Sequence, residues 1–371
     1  MTSSTINRAA IATPALILNL AQFEANLDRM AAHCAQHNLV LRPHAKTHKC
    51  SAIVKAQLAR GAQGICTAKL GEAEAMAAAG INDILVTSPQ VTDQSFSRAI
   101  TLGQQMDHLC LVVDHPDCVA RLNRACAAAD YTLSVMVDLN VGTGRTGADV
   151  GKPSTDLALM VESASNLSLR GFQAYAGHVM HIESFEERRA AAAASAKMIK
   201  TALDSAAAAG LNITIISGGG TGTYDIEPAL GVITELQAGS YCVMDREYLD
   251  LYGPEGSSPD FDPALFVDVT VISANQQGYV TTDGGFKSFA TDGPRPVVHN
   301  GAPDGSKYFF MGDEHGGIKL PDGANGLPLA SRAAITVPHC DPTVNLYDQI
   351  HVVQDDRLID IWPVEARGKS Q

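Results

Sequence analysis

Short apolar runs alternate with alanine-rich amphipathic stretches over the first two thirds of the chain. The runs have the length of buried strands, and the stretches between them suit helices that connect parallel strands. In chain order the apolar runs are LVLR (39–42), QGICTA (63–68), DILVTS (83–88), HLCLVV (108–113), LSVMVD (133–138), LRGFQAY (169–175), ITIIS (213–217) and ELQAGSY (235–241). Eight such units predict an α/β fold with a TIM (β/α)8 barrel, which we assign to residues 21–255.

The pattern changes from about residue 266 onward. The apolar segments are now FVDVTVISA (266–274), GYVTTDGG (278–285), AAITVP (333–338) and IHVVQDDRLIDIWPV (350–364), with Gly, Pro and Asp turns between them. These segments predict a second, C-terminal domain of antiparallel strands that needs no helix. The early run TPALILNL (13–20) lies outside the barrel count, and we expect it to pair with this domain. The second domain therefore comprises residues 1–20 and 256–371.

Composition narrows the classes of partner. The formal net charge of -13 disfavours nucleic acid and anionic membranes, so a small-molecule substrate is expected. The eight cysteines include no CxxC pair and several lie in apolar runs, which is typical of reduced core residues in the cytoplasm. The start MTSSTINRAA lacks an apolar signal core, and no apolar run reaches the roughly 20 residues of a membrane span. We therefore expect a cytoplasmic protein.

One lysine falls at a position where barrels place their chemistry. Lys46, in RPHAKTHK (42–49), comes just after the first predicted barrel strand, at its C-terminal end. A lysine considered alone is most often a solvated surface charge. The barrel context instead makes Lys46 a candidate reactive amine.

Two glycine-bearing stretches follow the last two predicted barrel strands. SGGGTG (217–222) comes after strand seven and AGSY (238–241) closes strand eight, where barrels bind phosphate. Glycines allow backbone N–H groups to approach an anion, and the hydroxyls of Thr221 and Ser240 add donors. The alternative is a pair of tight turns without a ligand. A lysine that faces a phosphate site across the barrel mouth fits a Schiff base with pyridoxal 5'-phosphate.

Seven motifs together resemble one enzyme family. In order they are PHAKTHK, GTGRTG, QAYAGHVMH, SGGGTG, ELQAGSY, GDEHG and HCDPTVNLYD. They resemble the D-threonine aldolase family of fold-type III pyridoxal-phosphate enzymes, which includes 3-hydroxyaspartate aldolases and is related to D-serine dehydratase and alanine racemase. The resemblance extends from about Thr13 to Gly368. It implies an alanine racemase-like fold and a carbon–carbon lyase that cleaves D-threonine or related β-hydroxy-D-amino acids to glycine and an aldehyde.

The resemblance also implies how the cofactor is bound. Lys46 would be the Schiff-base lysine, and Arg145 of GTGRTG would reach the edge of the cofactor ring. Considered alone, Arg145 would be interpreted as a surface or capping arginine. Tyr175, at the end of strand six, would line the pocket. The phosphate would be held by Gly219, Gly220, Thr221, Gly239 and Ser240.

Further catalytic roles follow from the same resemblance. His181 of HVMH is the candidate base that takes the proton of the substrate hydroxyl, directly or through a metal-bound water. Asp313 of GDEHG is expected near the metal or the substrate. For both residues, and for Tyr175, a purely structural hydrogen bond is the alternative. No role is assigned to His178.

The segment VPHCDPT (337–343) contains a candidate metal site. If the strand AAITVP continues through His339, alternation places His339 and Asp341 on one face and turns Cys340 away. An HxD pattern alone is equally typical of a hydrogen-bonded strand end, but the resemblance identifies His339 and Asp341 as the metal ligands. A carboxylate ligand suits Mn2+, with Mg2+ or Co2+ as alternatives, whereas the His-x-Cys of the dehydratase relatives suits zinc.

Several alternatives stay open at this point. A D-serine or 3-hydroxyaspartate dehydratase would use the same cofactor and metal but expel the β-hydroxyl. A racemase would need a second base, for which we find no equivalent, and a non-catalytic pyridoxal-phosphate-binding barrel would lack the segment that follows Phe266. The preferred β-substituent (methyl, carboxylate or aryl) and the choice between monomer and homodimer are also open.

Overall fold

The computed structural model describes residues 6–371, so residues 1–5 of the predicted 1–20 segment lie outside the described part. The strands are β1 (Ala15–Asn19), β2 (Val40–Leu41), β3 (Ile65–Thr67), β4 (Asp83–Val86), β5 (His108–Val113), β6 (Leu133–Asn140), β7 (Ala148–Asp149), β8 (Leu167–Ala174), β9 (Ile216–Gly218), β10 (Glu235–Leu236), β11 (Leu265–Ser273), β12 (Tyr279–Thr282), β13 (Val297–Asn300), β14 (Lys307–Phe310), β15 (Gly316–Lys319), β16 (Arg332–Thr336), β17 (Gln349–Gln354) and β18 (Arg357–Pro363). The α-helices are α1 (Leu20–His37), α2 (Ser51–Leu58), α3 (Leu70–Ala78), α4 (Asp93–Gly103), α5 (Pro116–Ala128), α6 (Lys152–Glu162), α7 (Phe185–Ala208), α8 (Glu227–Leu230), α9 (Arg246–Leu249) and α10 (Cys340–Val344).

Eight parallel strands form the predicted barrel. Their order around the sheet is β2–β10–β9–β8–β6–β5–β4–β3, and each of the eight apolar runs overlaps one of them. A single parallel bridge between His44 and Cys66 joins the two ends of the sheet. Leu111, Val135 and Phe172 of the barrel strands are fully buried among the surrounding helices. The prediction of a TIM-type barrel is therefore confirmed.

Helix α1 shows how local sequence sets the element boundaries. The side chain of Asn19 accepts the backbone N–H groups of Ala21 and Gln22, and the helix ends at Asn38 in the left-handed conformation. The apolar positions Phe23, Leu27, Met30 and Cys34 recur at helical spacing and are buried. This face packs in a core shared with residues of the second sheet.

The second sheet is mostly antiparallel. Its order is β14–β15–β12–β11–β1–β17–β18, with β16 paired to β11 and β13 paired to β16. Strand β1 lies between β11, to which it is antiparallel, and β17, to which it is parallel. The expected pairing of the early run with the C-terminal strands is confirmed. None of the helices in residues 6–371 is both long and apolar enough to cross a membrane.

Two expectations about the C-terminal part were wrong. The strand AAITVP does not continue through His339: β16 ends at Thr336, and His339 is the residue that precedes helix α10. Pro338 has no N–H to donate to a strand ladder. The N–H of Cys340 instead donates to the buried carboxylate of Asp245 at 2.8 Å, which fixes the start of the helix. The domain therefore does contain a helix.

Candidate active site at the barrel mouth

Lys46 lies just beyond the C-terminal end of β2, in a short 3-10 turn (Ala45–Thr47). The imidazole Nδ1 of His44 accepts the N–H of Lys46 at 3.4 Å, and its Nε2 lies 3.1 Å from the hydroxyl of Thr87. His48 Nδ1 accepts the N–H of Cys50 at 3.2 Å. Burial lowers the pKa of both histidines, that of His48 to about 4. The two histidines beside Lys46 are therefore neutral supports of the turn.

The amine of Lys46 forms an ion pair with Asp341 Oδ1. Burial acts to lower the pKa of Lys46, but the carboxylate of Asp341 outweighs it and raises that pKa above its usual range. Conversely, Lys46 and His339 hold the pKa of Asp341 far below its ordinary value despite burial of the carboxyl. Two motifs that are remote in the sequence thus meet at one contact.

Lys46 faces a cavity of about 560 Å³ at the C-terminal end of the barrel. The cavity is lined by residues from the loops after several barrel strands. Among the predicted residues, those that line it are Lys46, Arg145, Tyr175, Gly220, Thr221, Gly239 and Ser240.

The two glycine loops pack too closely against their neighbours to accept a side chain at Gly220 or Gly239. A Cβ on Gly220 would lie 2.7 Å from Met180 Sδ, and a Cβ on Gly239 would lie 2.7 Å from Thr47 Oγ1. Gly219 has a φ of +65°, which favours glycine. The hydroxyl of Thr221 accepts the N–H of Tyr241 at 3.1 Å, so the loops after β9 and β10 are joined. This cradle fits a phosphate group.

A buried hydroxyl supports the same interpretation. Thr47 Oγ1 is buried beside Gly239 and has no hydrogen-bond partner within residues 6–371. A buried donor without a partner costs free energy unless a bound group satisfies it. The donor set at the cavity floor therefore fits an anionic ligand.

Arg145 projects from a tightly held loop. The side chain of Asn140 accepts the N–H groups of Gly142 and Gly144, and the hydroxyl of Thr146 donates to Asp138 at 2.7 Å. The Arg145 guanidinium lies 5.8 Å from the centroid of the Tyr175 ring. Burial raises the pKa of Tyr175.

His339 and Asp341 come together although the predicted strand is absent. His339 Nε2 lies 3.5 Å from Asp341 Oδ2, which is buried and accepts no hydrogen bond from the described residues. Two ligands of one cation, each at about 2.0 to 2.2 Å, lie about 3 to 3.5 Å apart. Burial lowers the pKa of His339, but Asp341 outweighs this effect and raises it to about 9. The spacing of the two side chains therefore fits a pair of cation ligands.

Two further carboxylates surround this pair. Glu247 Oε2 lies 3.9 Å from His339 Nε2 and 3.7 Å from His181 Nε2, while Asp292 Oδ2 lies 3.0 Å from His339 Nδ1. Burial lowers the pKa of the half-exposed His181, whose ring packs 4.8 Å from that of Tyr248. No complete set of three metal-binding side chains converges anywhere in residues 6–371. A cation here would have two protein ligands, His339 and Asp341.

One residue that was predicted to be catalytic and one with no assigned role lie outside this group. Asp313 is exposed in the turn between β14 and β15, and no side-chain contact joins it to the cavity within the described chain. His178 Nδ1 lies 3.1 Å from the hydroxyl of Thr143, and a Cβ on Gly142 would lie 3.0 Å from its ring. His178 thus supports the loop that carries Arg145.

Sequence reasoning missed Glu247, Asp292 and Asp245. Glu247 and Asp245 occur in MDREY (244–248), and Asp292 occurs in TDGP (291–294). Each is an ordinary acidic residue in a chain with 40 of them, so composition gave no signal. The one usable signal was that Asp245 and Glu247 come shortly after the eighth barrel strand and its glycine loop, at the end of the barrel where active sites lie.

Comparisons with known proteins agree with this geometry. The model for the alanine racemase N-terminal domain matches residues 18–247, and that for a putative serine dehydratase domain matches residues 264–353. A D-threonine aldolase from Arthrobacter sp is 37% identical over 366 residues, covering 98% of this chain and 94% of that protein. A 3-hydroxy-D-aspartate aldolase from Paracoccus denitrificans (strain Pd 1222) is 34% identical over 369 residues, with the same coverage. A solved D-threonine aldolase from Filomicrobium marinum matches with a TM-score of 0.93 at 35% identity, over 98% of both chains.

Proposed function

The chain belongs to the family of D-threonine aldolases and 3-hydroxy-D-aspartate aldolases, and we propose from this premise that it cleaves D-threonine or a related β-hydroxy-D-amino acid to glycine and an aldehyde. It is a carbon–carbon lyase with the alanine racemase-like fold of pyridoxal-phosphate enzymes. The observation that carries the assignment of its site is the contact between Lys46 and Asp341, because it brings the amine and a candidate metal ligand to one point.

The cofactor would be held at three places. Lys46 would bind its carbonyl carbon, and the cradle formed by Gly219, Gly220, Thr221, Gly239 and Ser240 would bind its phosphate. Arg145 would donate to an oxygen at the ring edge, beside Tyr175. Bound there, pyridoxal phosphate supplies the electron-withdrawing ring that stabilises the negative charge left at Cα.

His339 and Asp341 would hold a divalent cation, for which we propose Mn2+, with Mg2+ and Co2+ as alternatives. Such a cation lowers the pKa of an attached hydroxyl group. Burial lowers the pKa of His181 and favours its neutral form, so its imidazole is suited to accept the proton of the substrate hydroxyl. Glu247, 3.7 Å from that imidazole, would stabilise the protonated form.

Asp341 stands where the His-x-Cys pattern has Cys, which favours the aldolase over the dehydratase, and Cys340 lies between the two proposed ligands. Its thiol points toward the carbonyl of Met244 at 3.5 Å and is fully buried, and burial raises its pKa well above the usual range. Within the described residues this thiol is therefore directed away from the proposed cation site, and the carboxylate of Asp341 would be the second ligand. This is a hard oxygen site, unlike the softer pair that suits zinc.

We also propose a domain division and a homodimer. The barrel domain comprises residues 21–255, and the strand domain comprises residues 256–371 with the segment up to residue 20. Asp313 shares its part of the strand domain with the exposed side chains of Phe286 and Met311. We propose that a second copy covers these apolar side chains. Light scattering tests this: Phe286→Asp should shift the mass from dimer to monomer, and a monomeric wild type would contradict it.

The function is tested by product analysis of the purified holoenzyme with Mn2+. Incubation with D-threonine and, separately, with D-3-hydroxyaspartate should yield glycine with acetaldehyde or glyoxylate. L-Threonine and the variant Lys46→Ala serve as controls. Release of a keto acid and ammonia as the main products would instead identify a dehydratase and overturn the proposal.

A further inference from the structure

We propose that Asp292 is a positioning residue that orients the imidazole of His339 so that Nε2 faces Asp341. This inference rests on the metal site of the proposed function and adds a residue to it. Asp292 would contact neither the metal nor the substrate. It would act through His339 alone.

The two nitrogens of His339 have different neighbours. Asp292 Oδ2 lies 3.0 Å from Nδ1, and Nε2 lies on the Asp341 side, 3.5 Å from Oδ2. A carboxylate at Nδ1 can only accept, so it requires the proton of a neutral imidazole to be on Nδ1. Nε2 then keeps its lone pair and can serve as a ligand.

The segment that carries Asp292 is fixed to the same place as His339. The buried hydroxyl of Thr343 accepts the N–H of Ala290 at 2.9 Å and donates to the carbonyl of His339 at 2.7 Å. One hydroxyl therefore connects the chain just before Asp292 to the residue that Asp292 contacts. The two segments cannot shift independently without breaking one of these bonds.

The turn that follows Asp292 also packs closely against a neighbouring segment. A Cβ on Gly293 would lie 2.9 Å from Glu247 Oε1, so the turn after Asp292 packs directly against Glu247. The Asp292 carboxylate itself is about half exposed, so its contact with His339 is expected to add little to stability. Asp292 would instead orient the imidazole of His339, so its removal should weaken metal binding.

The test is a Mn2+ titration of the pyridoxal-phosphate holoenzyme, freed of metal by chelation, with free Mn2+ measured by electron paramagnetic resonance. Asp292→Ala should raise the Kd for Mn2+ by about 10- to 100-fold, the range seen when such partners of histidine ligands are removed. Asp292→Asn should raise it less, because the amide oxygen can still accept from Nδ1. Asp304→Asn, an exposed residue in the same part of the chain, should leave it unchanged.

The turnover of D-threonine separates positioning from a direct role. At saturating Mn2+, the rate of Asp292→Ala should return close to that of the wild type. A wild-type Kd in Asp292→Ala, or a rate that saturating Mn2+ does not restore, would overturn the inference alone. A wild-type holoenzyme that binds no Mn2+ would overturn the metal site of the proposed function, and the inference with it.

Discussion

Lys46 Nζ and Asp341 Oδ1 form an ion pair across 295 positions of the sequence, at the junction of the barrel and the second sheet. The other oxygen of the same carboxylate, Oδ2, lies 3.5 Å from His339 Nε2. Asp341 therefore stands between the proposed Schiff-base lysine and the proposed metal ligand. If Lys46 holds the cofactor as proposed, the carboxylate would lose this partner and would be free to hold a cation.

Lys46→Ala should abolish the visible absorbance of the cofactor-bound protein and reduce aldolase activity to background. Two other candidate amines are held elsewhere, because Lys49 is paired with buried Glu72 and Lys287 is paired with Glu314 at the surface. Lys69 lines the same cavity, so Lys69→Ala is the matched control and should keep the absorbance. Borohydride reduction followed by peptide mapping gives the direct answer, and a label on Lys69 would refute the assignment.

Asp341→Ala should lower kcat by about two orders of magnitude or more, because a bound cation supplies several kcal/mol of stabilisation. Added Mn2+ should restore the chelated wild type but not this variant. Asp341→Cys should shift the metal preference toward zinc, since a thiolate is the softer ligand. Steady-state kinetics over a series of metals measures both effects. Restoration of Asp341→Ala by ordinary Mn2+ concentrations would show that this carboxylate is not a ligand.

Arg145→Ala should raise the Kd for pyridoxal phosphate by about tenfold or more, as expected for one charge-assisted hydrogen bond of about 1.5 to 3 kcal/mol. His178→Ala should have a smaller effect, about 2- to 10-fold, because it only loosens the loop at Thr143. Arg121 packs on Phe96 in a similar way on the outer helices, so Arg121→Ala is the control. Fluorescence titration of the apoprotein measures all three, and wild-type affinity in Arg145→Ala would contradict its role.

The buried carboxyl of Glu227 should make the stability of the protein depend on pH. Its carboxyl packs against Gly219 in the phosphate cradle, and burial raises its pKa from 4.5 to about 7. The native state thus keeps a proton that the unfolded chain loses, so stability is lost as pH rises from 4.5 to 7. Over this window the loss amounts to about 3 kcal/mol.

Glu227→Gln stays neutral and should remove this part of the pH dependence. Its melting temperature should match the wild type near pH 5 and exceed it at pH 8. The exposed Glu162→Gln is the control and should follow the wild type at both values. Equal differences between Glu227→Gln and wild type at the two pH values would show that Glu227 does not titrate in this range.

The barrel and the positions of Lys46 and the glycine loops could be predicted because they depend on local pattern. Each apolar run between helical stretches overlaps a strand, even where that strand is as short as β2 or β10. A residue just after such a run must lie at the barrel mouth, whatever the rest of the chain does. The cradle positions follow in the same way from the order of the strands.

The surroundings of His339 could not be predicted in this way. Period-two alternation assumed a strand, but Pro338 and the cap supplied by Asp245 begin a helix instead. The contact with Asp292 spans 47 positions and depends on how two turns pack. Strands β13, β14 and β15 were missed because their short runs lie among Gly, Pro and Asp residues.

The central claim is that the cation held by His339 and Asp341 takes part in breaking the carbon–carbon bond, while the barrel holds the cofactor independently. The most direct test is the rate of D-threonine cleavage by the holoenzyme before and after chelation, with the visible absorbance of the bound cofactor recorded on the same sample. We predict that chelation abolishes cleavage, leaves the absorbance and the folded state intact, and is reversed by Mn2+. Cleavage of D-threonine at the full rate by the chelated protein would contradict the claim.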